Sequence, residues 1–203
     1  MTSEVVVFRP GFGRGLTVLV VAGCVVGGVS ALLSDPGQAW RYLPLLALAC
    51  VAVWAAYWNP AVIVTPAAVE LRNVTRTIVL PWPCVQSVDT SWALTVQTAY
   101  GTFAAWAAPA PSRTKVSVAQ REDVTHLPET SYGAGGSVRP GDLASTDSGQ
   151  AAAIVRARWQ QQRDAGVLDD PRLEHARPVV RWHVATLATL AVLAVLSVVT
   201  LVL

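Results

Sequence analysis

Three long apolar stretches run through the chain, and between the second and third apolar and polar residues alternate with a period of two. The apolar stretches are Leu16–Leu33, residues 43–58, and Val184–Leu203, which carries no charge over 20 residues. At about 1.5 Å rise per residue, a 20-residue helix is about 30 Å long, the thickness of a bilayer's hydrocarbon core. The pattern predicts three transmembrane helices: a hairpin of 16–33 and 43–58, and a third span at 184–203. Ser34-Asp35-Pro36-Gly37-Gln38 is the turn of the hairpin, because Asp and Pro initiate a reversal and Gly relieves the backbone. Pro44 falls in the first turn of the second helix, where a missing N–H costs least. Trp40 and Tyr42 at one end of that helix, and Trp54, Tyr57 and Trp58 at the other, are interfacial aromatics. Arg177, Arg181, Trp182 and His183 have that role before the third span. A second reading of 16–33 is a cleaved signal peptide, since Val29-Ser30-Ala31 has the small residues of a cleavage site.

The alternating stretch reads as a run of short strands. Ala61–Val64 is apolar and Thr65-Pro66-Ala67-Ala68 breaks it. Val69 and Leu71, then Thr77 and Val79, alternate with polar neighbours across an Asn73–Arg76 turn, as a half-buried hairpin does. Pro81-Trp82-Pro83 ends that hairpin, since neither proline donates to a ladder. Val85 and Val88 begin another strand; Trp92, Leu94, Val96 and Thr98 alternate strictly, and the chain returns over 103–107 after a turn holding Gly101. Six short strands predict an antiparallel meander, either a small barrel or two orthogonal sheets. From Pro109 to Gly149 the chain is rich in Pro, Gly, Ser and Thr, with 112–118 as a last strand. Asp147 or Ser148 then caps a helix that runs to Ala165 and stops at Gly166. Ala151, Val155 and Trp159 share one face of it, with Arg156, Gln160 and Arg163 opposite. The expected layout is a tail (1–15), the membrane hairpin (16–58), a β domain (60–118), a linker (119–146), an amphipathic helix (147–166), a juxtamembrane linker (167–183) and the third span.

Within 62–107 the pattern of a strand, a Thr-Pro turn, Val69-x-Leu71-Arg72-Asn73, Arg76, a strand ending Leu80-Pro81-Trp82, then Val85-x-x-Val88 and a hairpin closing on Gly101 resembles the bacterial PH-like domain of small actinobacterial membrane proteins. The likeness extends to two spans placed just before the domain. It implies a pleckstrin-homology-type β-barrel or sandwich with a C-terminal helix, and Trp159 is the candidate plug of that barrel. The alternative is that this helix lies on the membrane or against a partner. The resemblance brings no catalytic residues, and the chain is not expected to be an enzyme or to carry a cofactor. Phosphoinositide-binding PH domains place cations around the first hairpin turn, whereas Thr65–Ala68 has none, so headgroup recognition of that kind is not expected.

Composition agrees with a membrane protein: 53% of the 203 residues are hydrophobic, 14% are charged, and mean hydropathy is +0.44. A net charge of +2 supplies no global field for nucleic acid. Cys24, Cys50 and Cys84 are scattered along the chain, which argues against a disulfide framework or a zinc site. Arg9 and Arg14 flank the first span and 12 of the 15 basic residues lie between the second and third, against Arg41 alone in the turn. The positive-inside rule then makes the tail and β domain cytoplasmic, at the inner (plasma) membrane, with the C-terminus outside. Gly23 and Gly27 form a G-x-x-x-G pair that suits packing within the hairpin or homo-oligomerisation. Gly11–Gly15 lacks the strand-to-helix context of a phosphate loop. Glu122, Asp123 and His126 read as a solvated cluster rather than a metal site. Arg72, Arg76, Arg113 and Lys115 are the candidate patch for an anionic partner, against the plainer reading of a solvated rim. The functional expectation is a membrane-tethered interaction or scaffold module with a protein partner. The alternative is an enzyme or transport accessory with its site at the domain–membrane junction.

Overall fold

The computed structural model describes residues 4–111, 140–143, 145–168 and 176–202. Among these, eight strands and five α-helices fall into two compact units.

The β unit holds a five-stranded and a three-stranded antiparallel sheet. The first contains β1 (Val6–Phe8), β2 (Ala61–Val64), β3 (Ala68–Arg72), β4 (Arg76–Pro81) and β8 (Val179–Trp182), in that spatial order. The second is the meander β5 (Val85–Asp89), β6 (Ala93–Thr98) and β7 (Gly101–Pro109). Register explains the alternation: Val62 lies opposite Leu71, Val64 opposite Val69, Leu71 opposite Ile78 and Val69 opposite Leu80. All six are buried and point to one face, while Glu70 and Arg72 take the other. Leu94 and Val96 supply the buried face of the second sheet. Thr65 closes the β2–β3 turn, its hydroxyl donating to Ala68 O at 2.8 Å and accepting from Ala68 N–H at 3.0 Å. At the β6–β7 turn Gly101 has φ +128°, a conformation that L side chains rarely adopt.

Between β4 and β5 the 3₁₀ turn Trp82–Cys84 drives its indole into the core. Trp82 is 1% exposed and its Nε1–H donates to Thr65 O at 3.0 Å, so it is a core residue and not a surface position. Trp92, just before β6, is 90% exposed. The helix α4 (Asp147–Asp164, with Ala165 as C-cap and Gly166 after it at φ +71°) packs on both sheets through Ala151, Ala152 and Val155, with Trp159 partly buried against the same core. Its N-cap is Thr146, one residue before Asp147 and two before Ser148, the two expected caps, and Thr146 Oγ1 accepts from Gly149 N–H at 3.0 Å.

Three expectations are corrected. The tail contains β1, which pairs with β2 through Val6–Val64, Val7–Ile63 and Phe8–Val62. The juxtamembrane linker contains β8, an edge strand beside β4. Arg156, expected on the solvent side of α4, is 5% exposed. The expected strand at 112–118 and most of the 119–146 linker lie outside the described residues.

The helical unit contains α1 (Gly11–Ser34), the short α2 (Pro36–Ala39), α3 (Leu43–Val53) continuing as a π-helical turn Trp54–Trp58, and α5 (Val184–Val202). α1 and α5 are long and apolar enough to cross a membrane, whereas Leu43–Trp58 is a shorter apolar helix. Asp35 caps α2, its Oδ1 accepting from Gly37 N–H at 3.1 Å, and Pro36 and Pro44 stand in the first turns of their helices. α3 packs against both α1 and α5. The close approach of α1 falls at Gly13, where an added Cβ would meet Tyr57 O at 2.7 Å, and at Gly28, beside Leu46. Gly23 and Gly27, expected to pack within the hairpin, have open space before them: the seam uses Gly28, one residue and about 100° round the helix from Gly27.

Cys84 is fully buried, and burial pushes its thiol up to about 11 from an ordinary 9.0. The unfolded chain then ionises this thiol first, so native stability is unaffected below about pH 9 and falls between about 9 and 11. The slope is at most about 1.4 kcal/mol per pH unit. Urea titrations of the wild type and Cys84→Ala at pH 8 and pH 10.5 check this. The wild type loses more stability than the variant over that interval; equal losses would remove the burial argument.

Candidate functional site

Three groups of polar and aromatic side chains stand out, and their chemistry differs. The first joins α4 to the second sheet. Asp142, in the 3₁₀ turn Pro140–Asp142, accepts on Oδ1 from Thr90 Oγ1 at 2.8 Å and from Arg156 Nη1 at 2.6 Å. Arg156 Nη2 donates to Val88 O at 3.0 Å. Asp142 and Arg156 are both buried, so each charge depends on the other and on these neutral partners for the hydration it has lost. Two glycines permit the approach: a Cβ at Gly141 would collide with Thr90 O, and one at Gly149 with Leu143 O. Ser148 Oγ donates to Gly141 O at 2.8 Å and Thr146 Oγ1 to Leu143 O at 2.8 Å, which fixes the turn ahead of the helix. A carboxylate already bound to a guanidinium and a hydroxyl, away from solvent, fastens structure; it does not present a general base.

The second group is a clasp between the sheets. Asn73, between β3 and β4, donates from Nδ2 to Ala104 O at 2.9 Å and accepts on Oδ1 from Trp106 N–H at 2.8 Å. Its amide reproduces the donor and acceptor of a strand residue and so occupies part of the free edge of β7. Its tertiary role is visible only once β7 is in place. At the same end of the β6–β7 hairpin, Trp92 and Trp106 are exposed large aromatics.

The third group belongs to the helical unit and consists of cation–aromatic pairs. Arg14 lies over the Trp58 ring at 4.9 Å, Arg76 over Trp182 at 5.4 Å, and Arg41 over Trp40 at 5.9 Å. His183 N–H donates to Thr75 O at 2.9 Å, seating Val74–Arg76 at the start of α5. At the other end of α5, Thr200 Oγ1 donates to Arg41 O at 2.9 Å. Arginine stacked on indole keeps its charge while covering apolar surface, which suits the headgroup level of a bilayer.

Of the expected anionic-partner patch, Arg72 ends β3 half-buried, opposite Thr77 and Ala61 in register. Arg76 begins β4 and stacks on Trp182. Arg113 and Lys115 lie outside the described residues, as do Glu122, Asp123, His126 and His175. Among the described residues no group of three or more His, Cys, Asp or Glu side chains is placed to hold a metal ion. Trp159 Nε1 is buried with no acceptor among the described residues, and Arg163 covers its ring at 5.3 Å. The sequence reading missed Asp142 as the partner of Arg156 and Asn73 as a clasp. The available signal for the first was the helix itself, since position 156 follows the core position Ala152 by four.

The buried pair makes an asymmetric prediction. Asp142→Ala leaves Arg156 charged and unpaired in the core and costs about 3–5 kcal/mol, whereas the double substitution Asp142→Leu with Arg156→Met removes both charges and recovers most of that loss. Urea denaturation of the purified chain, followed by tryptophan emission, measures both. A double variant no more stable than Asp142→Ala would refute the pairing argument.

No family model, curated protein or solved structure matches the chain, so the PH-like likeness rests on the chain's own residues.

Proposed function

We infer that the chain is a multi-pass inner-membrane protein that holds a PH-like interaction module at the cytoplasmic face, where it docks a protein partner. The observation that carries this reading is the pairing of β1 with β2. The chain leaves the first sheet after Phe8 and re-enters it at Ala61, so everything from Gly11 to Pro60 is one excursion that begins and ends at the same sheet. If α1 crosses the membrane, the return must cross it too, which is the hairpin of the three-span topology. The shorter return helix is flanked by Tyr42 and Trp58, whose rings extend its reach into the interfacial layers. α5 starts two residues after β8, and near its far end Thr200 bonds Arg41 O in the hairpin turn, which supports a topology with the C-terminus and that turn on one side.

Two antiparallel sheets with a helix packed across both agree with a PH-like architecture. Asp142, Arg156, Asn73 and the Thr65 turn bond within the β unit and so serve its structure. Trp92, 90% exposed, is a candidate contact for a partner, since tryptophans dominate binding energy at protein interfaces. The spans carry no acidic or basic side chain in 16–33, 43–58 or 184–203, which disfavours a transport pathway.

Two measurements test the reading. Reporter enzymes fused after Leu203 and inserted at Gly37 report an exported location, while a reporter active in the cytoplasm at either point would reject the topology. A photo-crosslinking amino acid at Ser91, which is exposed beside Trp92, yields a discrete adduct with a second protein in intact cells, and Trp92→Ala reduces that adduct at least about fivefold, equivalent to about 1 kcal/mol. The absence of any adduct other than lipid would sink the protein-partner proposal.

A further inference from the structure

The hairpin brings together two cysteines that stand 26 positions apart. α1 and α3 pack against each other on either side of the reversal that holds the short α2, so facing residues on their seam step in opposite directions along the chain. Gly28 and Leu46 are such a pair, with 3.3 Å between the position of a Cβ on Gly28 and Leu46 Cδ1. One helical turn back along α1 is Cys24, and one turn on along α3 is Cys50. Residues four apart share a helix face, so both thiols face the seam. The Cys24 and Cys50 side chains lie within hydrogen-bonding reach of each other. Both are free thiols and both are half-buried, hence reachable from the apolar surroundings of the helices. Cys84 is fully buried in the β unit and has no cysteine neighbour in its sheet or turn.

We propose that Cys24 and Cys50 form a redox site in which two-electron oxidation creates an intramolecular disulfide that ties α1 to α3. In the forward step two S–H bonds break and one S–S bond forms. The two protons and two electrons pass to a lipid-soluble quinone, which becomes the quinol. An apolar oxidant is the chemical class that fits, because no charged side chain stands within two turns of either thiol on its helix. Reduction runs through thiol–disulfide exchange with an external dithiol, whose own sulfurs take up the disulfide. The bond would hold the hairpin shut along the seam that Gly13 and Gly28 already bring close. This inference does not depend on the identity of a partner, and it stands whichever way the spans face.

The full-length protein in membranes is treated with tetramethylbenzoquinone, whose fully substituted ring resists thiol addition, then unfolded in detergent and alkylated with a maleimide. Mass spectrometry counts the labels. Untreated protein takes three, oxidised protein takes one, on Cys84, and prior incubation with dithiothreitol restores three. Cys24→Ser takes two labels before and after the quinone. Three labels after oxidation of the wild type, or a disulfide found only between two chains, would overturn the proposal.

Discussion

The pairing of β1 with β2 is the constraint on which the rest of the architecture depends. A three-residue strand has little stability of its own, and this one meets a partner more than fifty residues away. Loop closure is not the obstacle it first seems, since its entropy grows only logarithmically and each doubling of length adds about 0.6 kcal/mol. The intervening chain is also mostly helix. Its two arms approach at Gly13 and Tyr57, a few residues along the chain from Phe8 on one side and Ala61 on the other. Phe8 is then buried in the core and Arg158 Nη2 of α4 donates to Glu4 O at 3.2 Å, which holds the strand from its far side. The helical hairpin is thereby, along the chain, an insertion between the first and second strands of the β unit.

This explains which parts of the fold are legible in the sequence. The β2–β7 hairpins are readable because each strand carries its own alternation and each turn its own residues: Thr65-Pro66, the Asn73 reversal and Gly101. β1 and β8 are not, because Val-Val-Phe and Val-Val-Arg-Trp are too short to show a period and become strands only through the edges that β2 and β4 offer. Position on α4 is misread at Arg156 for a related reason. Arginine is nearly always exposed unless paired, and its partner Asp142 lies in a Pro-Gly-Asp turn with no periodicity to announce it. Trp82 and Trp92 look equivalent in composition and have opposite fates. The prolines around Trp82 break the ladder and turn the ring inward, where Thr65 O receives its N–H.

The cysteines show that some of what is missed is recoverable. Once a reversal centred on Gly37 is accepted, antiparallel helices on either side pair residues equidistant from it. Cys24 and Cys50 lie 13 positions from Gly37, as Gly28 and Leu46 lie nine positions from it. Counting cysteines along the chain makes them scattered; counting outward from the turn makes them neighbours. The G-x-x-x-G motif fails under the same arithmetic. Gly23 and Gly27 are offset from the seam by one residue, and a spacing motif alone does not say which neighbour a helix face will meet.

The buried Asp142–Arg156 pair raises the question of why α4 is fastened by charge when its face already buries Ala151, Ala152 and Val155. Those three side chains are small, and an alanine-rich surface packs almost equally well after a slide of one turn along a sheet. A guanidinium that must reach both Asp142 and Val88 O tolerates no such slide, because moving it by 5.4 Å would strand two charges in the core. Gly141 and Gly149 act in the same direction, since each admits a backbone approach that would be lost in any other register. The polar clasp therefore contributes less to net stability than to the uniqueness of the helix position. That position sets where Arg158 meets the backbone of Glu4, and through it the strand that closes the sheet.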